Sequence, residues 1–270
     1  MKSVNLLWRV ARWTSKIVAL ALAASPMAFA VDGIFEINQA KLIANGSAPF
    51  LIDKPGSYRL TSNLDVTPFF GLTAISIQAS NVTVDLNGFT INGPNTCTTP
   101  SGFGTSIQCT QNGTGYGIFA QGYSNIVVKN GIIRGTHATG IVLDQGYNHV
   151  VENVTVAESG NGVRIANGRI NHVVAVQNGN FGVEVVGGGV VSDVYSALNG
   201  GYGIGIADGT VVASNASANG SYGLQLGATV GYSNVTATYN KGGSGNLQIL
   251  GGVNGTGNVC NHTAGSSVCP

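Results

Sequence analysis

Charge is scarce in this chain: 9% of its 270 residues are Asp, Glu, Lys or Arg, and the formal net charge is +1. That balance supplies neither a basic field for nucleic acid nor an acidic one for cations, which excludes nucleic acid as a partner. Tryptophan is confined to Trp8 and Trp13. The four cysteines include no Cys-x-x-Cys pair, which argues against dithiol redox catalysis. Beyond residue 30 no apolar run is long enough to cross a membrane as a helix.

The first 30 residues differ from the rest. They have a basic start (Lys2, Arg9, Arg12, Lys16), an apolar run from Ile17 to Ala24 and the small-residue ending Ala28-Phe29-Ala30. These are the marks of a Sec-type secretory signal cleaved after Ala30, which predicts a secreted or periplasmic protein. Residues 31–270 then form a single domain, divided into an N-terminal cap (31–60), coils (61–250) and a C-terminal cap (251–270).

Glycine is abundant, with 41 residues in a chain that is 43% hydrophobic. This fits a β-rich fold with many tight corners and neither a helical bundle nor a disordered chain. An exported chain can oxidise its cysteines. Four cysteines allow three connectivities; the local pairs Cys97 with Cys109 and Cys260 with Cys269 close short loops at the least entropic cost and are expected as staples.

A fixed period decides the architecture. Gly115-Tyr-Gly-Ile, Thr139-Gly-Ile-Val, Asn161-Gly-Val-Arg, Phe181-Gly-Val-Glu, Tyr202-Gly-Ile-Gly and Tyr222-Gly-Leu-Gln place glycines at 117, 140, 162, 182, 203 and 223, in steps of 23, 22, 20, 21 and 20. Weaker copies stand at Asn246-Leu-Gln-Ile and Leu72-Thr-Ala-Ile. After each glycine the residues alternate, as in Ile141-Val-Leu143 and Val163-Arg-Ile165, the pattern of a strand with one buried face. Second and third aliphatic runs follow, for example Val173-Val174 and Val235-Thr-Ala237. Three short strands per coil of about 21 residues predict an all-β, single-stranded right-handed parallel β-helix. A leucine-rich repeat has a similar period, but its leucine and asparagine consensus is missing and no helical periodicity lies between copies.

Asn178, Asn199 and Asn219 each stand four residues before a repeat glycine, so stacked coils bring their amides into one hydrogen-bonded column. A solenoid also needs capped ends. Phe35 to Asn45 reads as a short amphipathic capping helix stopped at Asn45-Gly46. Phe50-Leu-Ile and Tyr58-Arg-Leu flank a Pro55-Gly56 turn. The Cys260/Cys269 loop would cover the last coil.

The stretch Asn81-Val-Thr-Val-Asp-Leu-Asn-Gly-Phe-Thr-Ile, its echo Asn125-Ile-Val-Val-Lys-Asn-Gly-Ile-Ile and the Tyr-Gly-Ile copies resemble the pectin-lyase-like right-handed β-helix superfamily, over about residues 50 to 250. Pro55-Gly-Ser-Tyr-Arg-Leu looks like the lead-in to such coils, which occur in many exported bacterial proteins. The resemblance implies the fold and a polysaccharide or envelope-glycan partner. Relatives include lyases, hydrolases, uronate epimerases, tail-spike depolymerases and binding proteins, so the fold leaves the activity open.

The catalytic signatures of those enzymes are absent. There is no Asp-Asp or Asn-Thr-Asp, no Trp-Ile-Asp-His and no Asp-Pro-His. Gly162-Val-Arg164-Ile165 is similar to the Arg-Ile-Lys of polygalacturonases, with Ala166 in place of the lysine. Counting back ten residues from the glycines at 162, 182 and 203 reaches Glu152, His172 and Asp193, an acid–histidine–acid column able to serve as acid or base. Arg134 or His149 would hold a sugar carboxylate. Arg164, a further substrate-binding candidate, stands beside Glu184 on the next coil and is expected to form a cross-strand ion pair with it.

Tyr195, Tyr202, Tyr222 and Tyr232 are candidate stacking surfaces for sugar, with several expected to pack at corners. The segment Pro94 to Thr114 breaks the repeat, and its Cys97/Cys109 loop is expected to project. No cofactor is implied, and calcium finds no carboxylate cluster. The sequence therefore predicts an exported β-helix that contacts polysaccharide as a binding or adhesion scaffold. The alternative is a lyase, hydrolase or epimerase working in a groove along the helix.

Overall fold

The computed structural model describes residues 33–44, 46, 48–69, 71–98, 107–110, 113–241, 247–261 and 269. Residues 1–30, expected to be a secretory signal, therefore lie outside the described residues. From Gly33 onward the chain is one compact unit, a parallel β-solenoid of about ten turns with about 22 residues per turn.

The repeat glycines set the register. Ile118 pairs with Ile141, Ile141 with Val163, Val163 with Val183, Val183 with Ile204, and Ile204 with Leu224, so each residue following a repeat glycine lies directly over its equivalent. These five partners and Ile118 are wholly buried. They form one wall of an aliphatic core that runs the length of the solenoid. This first sheet contains the strands Ile118–Gln121, Thr139–Asp144, Asn161–Ile165, Val183–Ser192, Ile204–Val212 and Leu224–Leu226.

The second and third strands of a coil are not always separate. His149–Ala157 and Gly168–Val176 each run through a single left-handed residue, Asn153 (φ 54°) and His172 (φ 49°). Asn is among the few side-chain-bearing residues that adopt this conformation readily, so one residue turns the chain from one face of the coil to the next.

The asparagine column forms, and it is longer than the repeat predicts. Asn178 Nδ2 donates to Asn199 Oδ1 at 2.9 Å, Asn199 Nδ2 to Asn219 Oδ1 at 3.0 Å, and Asn219 Nδ2 to Asn240 Oδ1 at 2.9 Å. Gln248 ends the row by accepting from Asn240 Nδ2 at 3.0 Å. The column explains the adjacent glycines. A Cβ on Gly203 would meet Asn219 Nδ2 at 2.6 Å, and one on Gly223 would meet Asn240 Nδ2 at 2.6 Å. Glycine is kept there because the amides fill the space a side chain would need.

The N-terminal end differs from expectation. Ile34–Ile37 is a strand that pairs with Gly56–Leu60, and the helix is confined to Gln39–Ala44. Ile37 is buried under the first coil, and Phe35 stacks on Tyr58 at 5.0 Å, so these side chains contribute more by extending the sheet. Asn38 then caps the helix, its Oδ1 accepting from Lys41 N at 3.0 Å. Asn45, the expected helix stop, lies outside the described residues. Phe50–Ile52 and Gly56–Leu60 are strands on either side of Pro55, as the sequence indicates.

Both local disulfides are present, Cys97–Cys109 and Cys260–Cys269. Cys97 and Cys109 face each other across a short antiparallel hairpin whose tip, 99–106, lies outside the described residues. Cys260 extends the core over Ala237. Among the described residues, no helix is long and apolar enough to cross a membrane.

Candidate functional site

The expected Glu152, His172 and Asp193 column does not assemble. Glu152 pairs with Asn171, and Asn171 with Ser192, while His172 and Asp193 occupy the neighbouring left-handed corner row with Asn153. Coil length is the reason. From left-handed Glu158 to Gly162 the chain takes four steps, but from Gln177 to Gly182 and from Leu198 to Gly203 it takes five. Counting back a constant ten residues therefore overshoots the corner by one position in the first of these coils, reaching Glu152 instead of Asn153. His172 and Asp193 are exposed at the corner, and Glu152 is half-buried on the sheet before it.

The three basic candidates lie apart from one another. Arg134 is bound to Glu158 at 2.9 Å near the Cys97 hairpin. His149 is fully buried and neither of its ring nitrogens has a hydrogen-bond partner. Burial pushes its pKa below the ordinary histidine value, while the nearby Asp144 charge opposes that shift. Arg134 lines a cleft with Asn95, Thr96 and Glu158, and Arg164 faces a separate one.

That cleft is built on the outward face of the first sheet. Val142, Arg164, Glu184, Gly205 and Gln225 stack in one row. Arg164 lies between two carboxylates, its Nε donating to Asp144 Oδ1 at 3.1 Å and its Nη1 to Glu184 Oε2 at 2.7 Å. The Arg164–Glu184 pair was legible in the repeat; the Asp144 contact was not, because Asp144 lies two residues further along its strand. Tyr202 completes the network, its phenol donating to Glu184 Oε1 at 2.6 Å. Burial first, then the hydrogen bond and charge of Glu184, raise the Tyr202 pKa, which keeps it a neutral donor.

Aromatic rings frame this polar strip. The position before each repeat glycine carries Tyr116, Thr139, Asn161, Phe181, Tyr202 and Tyr222 in successive coils. Tyr116 stacks with Phe119 at 4.8 Å, and Phe181 with Tyr202 at 5.6 Å. Between the two pairs lie Thr139 and Asn161, joined by a hydrogen bond from Asn161 Nδ2 to Thr139 Oγ1 at 3.1 Å. One cleft of about 350 Å³ opens over Tyr116, Phe119, Asp144, Arg164 and Phe181. A second, also about 350 Å³, continues past Glu184 and Tyr202 to Gln225.

The other tyrosine candidates are placed elsewhere. Tyr232 is buried in the core, and Tyr195 is 46% exposed on a different face. Tyr116, Phe119 and Phe181 escaped the sequence reading, although their spacing from the repeat glycines marks them. Among the described residues, no cluster of three or more His, Cys, Asp or Glu could hold a metal ion.

No protein-family model, curated protein sequence or solved structure gives a match to this chain. The class of protein defined here is thus architectural, a parallel β-solenoid with an aromatic-framed cleft along one sheet.

Proposed function

We propose that the chain is an exported β-helix of the pectin-lyase-like kind that binds polysaccharide along its first sheet without cleaving it. The observation that carries this reading is the pair of stacked aromatic clusters, Tyr116/Phe119 and Phe181/Tyr202, on either side of a hydrogen-bonding floor. Sugar rings present apolar faces to aromatic side chains and hydroxyl groups to amides, carboxylates and guanidinium. A rigid sheet holds both kinds of contact at a fixed spacing, so binding orders little of the protein. Binding without cleavage is favoured by the displacement of Glu152 from the row of His172 and Asp193. It is also favoured by the engagement of both cleft carboxylates with Arg164. The two disulfides suit an exported chain.

Sedimentation of residues 31–270 with insoluble cellulose, chitin, curdlan, calcium pectate and calcium alginate tests the reading, with reducing ends and unsaturated products assayed in parallel. Retention on at least one polymer without product is the predicted result. Retention on none refutes binding. Product formed by the wild type and abolished in Glu184→Gln establishes catalysis in its place.

A further inference from the structure

We infer that the cleft selects uncharged sugar chains and turns uronate chains away, an inference that rests on the polysaccharide reading above. Among the residues lining the two clefts, Arg164 is the one cation. Its charge is already engaged on both sides, by Asp144 at 3.1 Å and Glu184 at 2.7 Å. Two carboxylates and one guanidinium leave the centre of the strip with a net formal charge of −1. A uronate carboxylate laid along the row would meet like charge in a partly desolvated cleft, where such juxtaposition opposes binding.

For an uncharged sugar the same groups are well suited. Arg164 uses two of its N–H groups on the carboxylates, and a guanidinium has five, so donors remain for hydroxyl oxygens. Each carboxylate has lone pairs left to accept hydroxyl hydrogens. The exposed Gln225 adds an amide at the far end of the row. From Phe119 to Gln225 the row spans five coil spacings, about 24 Å at the usual strand separation, which is oligosaccharide length.

Isothermal titration of residues 31–270 with cellohexaose and mannohexaose, against hexagalacturonate and hexaguluronate, provides the test. The wild type is expected to bind at least one neutral hexasaccharide ten times or more tighter than either uronate. Asp144→Asn combined with Glu184→Gln changes the centre from −1 to +1, and uronate affinity should then rise at least tenfold and weaken with added salt. Gln225→Lys places a cation on the same row without touching the Arg164 network, and it should raise uronate affinity in the same direction if the double variant fails to fold. Uronate bound by the wild type as tightly as the neutral chains overturns the selectivity while leaving polysaccharide binding intact. Neutral binding with no gain of uronate affinity in a folded charge variant overturns the electrostatic basis. Binding of none of the four overturns both the selectivity and the proposed function.

Discussion

Replacing Asn199 by alanine removes the middle rung of the buried amide column, and the structure sets the size of the effect. Asn199 Oδ1 accepts from Asn178 N at 3.0 Å and from Asn178 Nδ2 at 2.9 Å. Its Nδ2 donates to Asn219 Oδ1, to Ala175 O and to Ser196 Oγ. Asn178 Nδ2 retains a second acceptor, Val156 O, and Ser196 Oγ retains Gly203 O. Asn178 N loses the side-chain partner that held it, whereas Ala175 O keeps its place in the ladder beside Ser196 and Ala197. One buried orphan, Asn178 N, costs about 1–3 kcal/mol, before any cavity is counted.

The control is Asn125→Gly. Asn125 belongs to an exposed ladder, donating to Asn81 Oδ1 at 2.8 Å and accepting from Asn148 Nδ2 at 3.2 Å. Glycine keeps its left-handed backbone (φ 58°), so this change should stay within about 0.5 kcal/mol. Urea unfolding followed by circular dichroism compares the two. A cost below about 1 kcal/mol for Asn199→Ala, or equal costs for both variants, refutes the claim that the buried column stabilises the coils.

Three further outcomes follow from the same geometry. Gly203→Ala drives a Cβ onto Asn219 Nδ2 and Gly223 O, whereas Gly188 has nothing nearer than 4.0 Å; the first should cost about 1–3 kcal/mol and the second almost nothing, as measured by chemical denaturation. His149 has a folded pKa below the ordinary value because it is buried, with Asp144 opposing, so the unfolded chain takes up its proton first. Stability should be fully present above about pH 6.5 and decline as pH falls below it, with His137 adding in the same direction. His149→Leu should flatten that decline in unfolding curves from pH 8 to pH 5, and an unchanged slope contradicts the assignment. Reduction of Cys260–Cys269, which closes a loop of sequence separation 9, should cost about 2–3 kcal/mol; midpoints that coincide with and without reductant contradict a staple role.

Period and sheet register were readable because the repeat glycines are tied to the amide column: wherever Asn199, Asn219 or Asn240 fills the interior, the neighbouring coil needs Gly182, Gly203 or Gly223. The Arg164–Glu184 pair follows from counting forward from those glycines, across a strand that contains no corner. Counting backward crosses two corners, and Ser159-Gly160-Asn161 is one residue shorter than Asn178-Gly179-Asn180-Phe181. With a side-chain period of two, that single residue moves Glu152 out of the row of His172 and Asp193. Phe35–Ile37 was misread for a related reason: its apolar residues suit a short helix or a short strand, and pairing with Tyr58–Leu60 decides between them. The aromatic frame was partly legible, since Tyr202 and Tyr222 precede glycines, but the ring stacking depends on which coils are adjacent.

The most direct test of the cleft is the affinity of Tyr202→Ala and Tyr195→Ala for whichever polysaccharide retains the wild type, measured below both variants' unfolding midpoints. Tyr202 stacks on Phe181 in the cleft, and Tyr195 stands exposed on another face. Binding on the first sheet predicts at least a tenfold loss for Tyr202→Ala and no change for Tyr195→Ala. Equal affinities, or a loss confined to Tyr195→Ala, would place the polysaccharide elsewhere on the solenoid and contradict the account.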